Sequence, residues 1–120
     1  MTLRIETARV PVERRIARCE QCGIYSDEFP LAGGGAGGDF DTWASVSSGT
    51  VYRVDTTLYR YGVYTFDQCQ AAVFRHAGGE SEVRRLPHEV FCKNCGTTFH
   101  VKSCEILGEE DRAVRQLIAE

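Results

Sequence analysis

Hydrophobic and polar positions along the chain change period several times, and each change predicts an element. "LRIETARV" and "VERRIARC" have the length and β-branched content of two strands joined near Val10-Pro11, the second running into Cys19. "TWASV", a turn at "SSGT" and "VYRV" form a predicted hairpin. In "TTLYRYGVYTF" strict alternation would place Thr57, Tyr59, Tyr61 and Val63 on one strand face, with Leu58, Arg60, Tyr64 and Phe66 on the other.

The period then becomes helical. "FDQCQAAVFRHAGG" reads as a helix with Asp67 as cap, Gln70 completing a capping box and Phe66 stapling onto Ala71. Arg75 and His76 fall in its last turn, and Gly78 stops it. "SEVRRLPHEVFC" is extended, with Pro87 marking an edge or bend. "TTFHVKSC" is a short strand. "GEEDRAVRQLIAE" reads as a terminal helix over 108–120, with acids in its first turn and an apolar stripe of Ala113, Val114, Leu117 and Ile118. The expected fold class is therefore α+β, a small β-rich domain of antiparallel sheet with two short helices.

Composition narrows the class. A chain of 120 residues with 42% hydrophobic and 26% charged residues suits one soluble globular domain, 1–120. No apolar run approaches the ~20 residues that span a bilayer, so no membrane partner is expected. The N-terminal "MTLRIETARVPVERR" carries charge where a signal peptide needs an apolar core, which points to a reducing, cytoplasmic setting. There, six cysteines read as thiols or metal ligands rather than disulfides. A net charge of −3 does not indicate a general polyanion binder, although residues 1–22 hold five Arg against three Glu. The glycine-rich loop 32–39 lacks the Lys-Ser/Thr of a phosphate-binding loop and reads as a flexible surface connection.

The strongest chemical signal is a repeated motif. "RCEQCG" at 18–23 is answered by "FCKNCG" at 91–96. Two cysteines separated by two residues can bite one metal ion from a tight turn, and the following glycine lets backbone amides approach the sulfurs. Cys19, Cys22, Cys92 and Cys95 together offer four thiolates, a tetrahedral set suited to Zn²⁺.

These pairs resemble the paired knuckles of the zinc-ribbon family. The resemblance implies two hairpins sharing one zinc, built from 1–23 and 88–104, with 24–87 as an insertion between them. A rival grouping of Cys92, Cys95, His100 and Cys104 is similar to the retroviral-type zinc knuckle, with one residue fewer between His100 and Cys104 and Phe99 where that family has glycine. It implies nucleic-acid binding, and a second zinc if Cys69 and His76 join Cys19 and Cys22. Otherwise Cys69 and Cys104 are packing cysteines and His100 a strand residue. "CEQCGIY" and "CKNCG" also resemble rubredoxin loops, which implies iron and electron transfer. That family carries proline and tryptophan where this chain has Lys93 and Phe91.

Nothing in the sequence calls for catalysis. A zinc deaminase needs His-x-Glu ahead of its Cys-x-x-Cys, whereas His88 and Glu89 are adjacent. Binding remains, and the expected role is a protein–protein adaptor with Trp43, Tyr59, Tyr61 and Tyr64 offered as contact residues. The alternative is a nucleic-acid or transcription-associated ribbon using Arg14, Arg15, Arg18, Arg84 and Arg85 on phosphate. An aromatic sheet would also permit a dimer, so the oligomeric state stays open.

Overall fold

The structure, a computed structural model, describes residues 2–32, 40–86, 89–100 and 104–120, with backbone alone at 89–90 and 99–100. The glycine-rich loop, apart from Ala32, and the Pro87 bend lie outside the described residues. The elements are β1 (Leu3–Ile16), β2 (Phe29–Leu31), β3 (Phe40–Ser45), β4 (Val51–Asp55), α1 (Thr57–Arg60), α2 (Phe66–Ala77), a 3-10 turn at Glu80–Glu82, β5 (Val83–Arg85), β6 (Glu89–Phe91), β7 (Thr98–His100) and β8 (Glu105–Ala119). Six strands form one sheet in the order β2-β1-β8-β4-β3-β5, and β6-β7 form a separate hairpin. All pairs are antiparallel except β4 with β8. The sheet is thus mixed, and strands from within 24–87 enter the same sheet as β1 and β8. No helix among the described residues is long and apolar enough to cross a membrane.

The two N-terminal strands expected are one. β1 runs through Pro11, which lies opposite Asp111 of β8. On its other side β1 meets β2 only at Glu13–Arg15, so Pro11 stands at a sheet edge, where a missing N–H is tolerated.

The largest departure is the C-terminus, a 15-residue strand rather than a helix over 108–120. It pairs with β1 from Leu3↔Ala119 to Ile16↔Glu105, and with β4 from Tyr52↔Arg115 to Val54↔Leu117. The helical period was produced by two clusters on opposite faces of the strand. Val114 packs with Val10, Val12, Ala32 and Val51 on one face. Leu117 packs with Trp43, Tyr52, Val54, Cys69, Val73 and Val83 on the other. A spacing of three, read as one helix face, is here a strand switching its buried side. Intrinsic helix propensity is weak and tertiary pairing overrides it. The ladder skips Leu107 between Arg14↔Gly108 and Arg15↔Ile106, a β-bulge. A Cβ on Gly108 would meet the Arg14 guanidinium at 3.0 Å, so the glycine leaves that side chain its room.

Residues 57–66 also depart from the expected strand. The Asp55 carboxylate accepts hydrogen bonds from Thr57 N at 2.9 Å and Thr57 Oγ1 at 2.8 Å, which turns the chain into α1. Gly62, at φ +79°, then lets Tyr64 N return to Leu58 O at 3.0 Å.

The hairpin of β3 and β4 forms as expected, with Trp43↔Tyr52 and Ala44↔Val51 in register. α2 forms too, but its cap lies two residues earlier than Asp67. Gln68 N donates to Thr65 Oγ1 at 3.1 Å and Thr65 N to Gln68 Oε1 at 2.8 Å, a complete capping box. Gly78, at φ +99°, ends the helix. Its apolar side sets Phe66 against Trp43, ring centroids 6.1 Å apart, and buries Cys69 and Val73 on the sheet.

Leu117→Ala should lower unfolding free energy by about 3 kcal/mol, because it opens a cavity where strands and helix meet. Thr65→Ala should cost about 1 kcal/mol through the lost cap. Chemical denaturation of both variants checks the order and the size of the two effects.

Candidate metal centre

The two cysteine pairs fold into nearly identical turns. Cys19 N donates to Ile24 O at 2.8 Å, and Gly23 N to Cys19 O at 2.7 Å. Their counterparts are Cys92 N to Thr97 O at 2.8 Å and Gly96 N to Cys92 O at 2.9 Å. Gly23 and Gly96 have φ of +71° and +75°, the left-handed region that explains why glycine follows each pair. β6 and β7 carry the second turn, and the bridge Arg18↔Tyr25 closes the first.

These turns bring the four sulfurs of Cys19, Cys22, Cys92 and Cys95 within 4.8 Å of one another. Four cysteines so placed can hold a metal ion. The first cysteine of each pair is buried and the second lies nearer solvent. Cys19 Sγ and Cys95 Sγ approach to 3.6 Å across the two turns. Lys93 and Asp27, both exposed, meet at 3.4 Å from one turn to the other.

Polar neighbours divide the four thiols electrically. Thr97 contacts Cys95 Sγ through its hydroxyl at 3.0 Å and also through its backbone. Those two hydrogen bonds, with smaller help from Cys22 and Cys19, hold the Cys95 thiol down at about 6. At Cys22 the Asn94 amide, 3.3 Å from the sulfur, favours the thiolate. The neighbouring Cys95 and Cys19 sulfurs and burial outweigh it and push Cys22 up to about 11. Crowded sulfurs without a cation resist accumulating charge, so one ionises early and its neighbour late. A bound cation would remove that conflict.

Asn94 and Thr97 are the functional neighbours that motif reading missed. Both stand in or beside the second pair, yet only the fold shows that Asn94 reaches across to Cys22 of the first.

The other candidate ligands lie elsewhere. Cys69 is fully buried in the helix–sheet core, and burial raises its thiol pKa. His76 is exposed on α2, its Nδ1 3.1 Å from the Tyr52 hydroxyl. Cys69 and His76 are held apart in role, Cys69 buried in the helix–sheet core and His76 packed edge-on against Tyr52 at the exposed end of the helix. Cys104 packs with Ala17, Phe29 and Leu86, and burial raises its thiol as well. The His100 side chain lies outside the described residues. All six cysteines are free thiols.

Trp43, offered as a contact residue, is buried completely between strands and helix and has no surface to present. Tyr59 is tied down by donating its hydroxyl to Asp41, and burial raises its pKa. The Tyr64 hydroxyl is buried, whereas Tyr61 is 76% exposed.

Arg14 pairs with Glu28 at 2.9 Å, Arg15 with Glu13 at 2.7 Å and Arg85 with buried Asp41 at 3.3 Å. Arg18 lies over the Tyr25 ring and Arg84 is exposed.

In metal-free protein, Cys95 should be alkylated fastest, with a rate that rises with pH through a midpoint near its value of about 6. Thr97→Val should move that midpoint upward, toward the ordinary thiol range. Peptide mapping after brief iodoacetamide exposure over a pH series reads both. The chain matches no family model, no curated protein and no solved structure, so the meaning of this centre rests on its own geometry.

Proposed function

We propose that the chain is a zinc-ribbon-like structural zinc protein that docks another protein. The observation that carries this reading is the four-sulfur cluster supplied by two matching turns. A tetrahedral zinc with Zn–S bonds of about 2.3 Å has sulfurs about 3.8 Å apart along its edges. The Cys19–Cys95 separation of 3.6 Å lies near that edge and far from the ~2 Å of a disulfide. Four thiolates fill a tetrahedral zinc and leave no position for substrate, which favours a structural over a catalytic metal. Iron would fit four sulfurs equally, and elemental analysis separates the two.

Protein is favoured over nucleic acid by how the cations around the centre are spent. Arg14, Arg15 and Lys93 each face a carboxylate of their own chain and Arg18 lies over the Tyr25 ring, which reduces the charge open to phosphate. Apolar side chains are presented instead. Ile24 and Tyr25 on the first turn and Phe91 before the second are exposed, Tyr25 at 55% and Phe91 at 65%. That arrangement suits an aromatic-anchored protein contact.

Native mass spectrometry with elemental analysis should find one zinc per chain. Cys22→Ser should strip the zinc and lower the melting temperature, whereas Cys69→Ser should lower stability and keep the metal. Iron, or a second zinc, would replace this reading with electron transfer or with the knuckle grouping. A photo-crosslinking residue at position 91 should trap protein. Nucleic-acid adducts, with affinity falling steeply in salt, would favour the transcription-associated alternative.

A further inference from the structure

β4 begins to pair with β8 at Tyr52↔Arg115, and before that point the edge of β8 opens onto the turn between β3 and β4. A cleft of about 250 Å³ lies there, with Thr7, Ser48, Thr50, Arg112 and Arg115 among its lining residues. Arg112 is seven residues along β8 from Glu105. At about 3.3 Å per residue that sets the cleft roughly 23 Å from the metal end of the strand. The two arginines leave β8 on opposite faces, and both line the cleft.

Both guanidinium groups are held in place by neutral oxygens. Arg112 Nη2 donates to the Gly49 carbonyl at 2.7 Å, and Arg115 Nη1 donates to Thr7 Oγ1. Each group has five N–H donors, so most remain for a ligand. Neither arginine has a carboxylate partner among the described residues. Arg4, Arg9, Arg14, Arg15 and Arg85 all do. The nearest acid along β8, Asp111, is taken by Arg9 at 3.1 Å. Ser48 Oγ and Thr50 Oγ1, 2.8 Å apart, add hydroxyls on the turn side.

Two unneutralised guanidinium groups and three hydroxyls in one cleft of an acidic chain match a compact anion with several acceptor oxygens. We propose that this cleft binds a phosphate group, as inorganic phosphate or a small phosphomonoester. Arg112 and Arg115 supply charge-assisted hydrogen bonds, and the Ser48 and Thr50 hydroxyls orient the remaining oxygens. The volume suits one phosphate with a small substituent.

The test is an amide-resonance titration of the metal-loaded protein with inorganic phosphate, at ionic strength held constant with chloride. Saturable shifts are expected at Ser48, Gly49, Thr50 and residues 112–115. Arg112→Gln and Arg115→Gln should each weaken binding about tenfold, the loss of one charged hydrogen bond. Arg112→Lys should retain part of the affinity, and it stands in should the glutamine variant fail to fold. Glycerol phosphate run in parallel identifies the source. Tighter binding than phosphate marks a monoester site, and equal or weaker binding marks a free-phosphate site. Shifts that chloride alone reproduces, that stay linear, or that ignore both glutamine variants would overturn the proposal.

Discussion

The pairing of β1 with β8 is the constraint on which the rest of the structure depends. β1 ends at Ile16, three residues before Cys19, and β8 begins at Glu105, nine residues after Gly96. Their antiparallel ladder joins Ile16 to Glu105, so β1 ends and β8 begins at the same end of the sheet. Both cysteine turns hang from that end. Cysteine pairs remote in sequence become neighbours because a strand pair measures their separation for them. The same ladder also sets which residues face each core. Shifting it by one residue would exchange the clusters of Val114 and Leu117, so register is fixed from both faces at once.

Around the metal end the structure concentrates chemistry that a single turn could not supply. Each turn satisfies its own backbone, and the links between turns are made by side chains: Asn94 to Cys22, Lys93 to Asp27, and sulfur to sulfur. Each of these links is weak at an exposed site. A metal ion tying four thiolates would be the strong link, and its loss would be felt first in how the two turns face each other. Beneath them, Ala17, Phe29, Leu86 and Cys104 form a small apolar base drawn from both ends of the chain.

The parts of this fold legible in the sequence were those with local causes. Gly23 and Gly96 announced two tight turns, Gly78 a helix end, and "SSGT" a hairpin, because each constraint lies within a few residues. The four-cysteine centre was legible for the same reason, since each half-site is complete in six residues. The C-terminal strand was illegible because its cause is distant. Ala113, Val114, Leu117 and Ile118 fit a helix as well as a doubly buried strand, and only β1 and β4 decide between them. Tyr59 and Trp43 were misjudged likewise. Aromatic content gave no sign that Asp41 would be buried beside Tyr59, or that Phe66 would cover the indole. Asn94 was visible, but which sulfur it would meet was not.

The two-sided burial of β8 also governs when this protein can fold. The two larger apolar clusters each take a member from β8, Val114 in one and Leu117 in the other. Neither can close before β8 has been synthesised and is free to pair. Until then one whole edge of β1 stands open, its other edge covered by β2 only at Glu13–Arg15, and the first cysteine pair waits for its sulfur partners. Closure of this chain-spanning pair carries a loop entropy that local elements do not, so folding should be slow for a domain of this size. During that interval the nascent chain is vulnerable to strand pairing with other copies, and to capture of a metal ion by its first two cysteines alone.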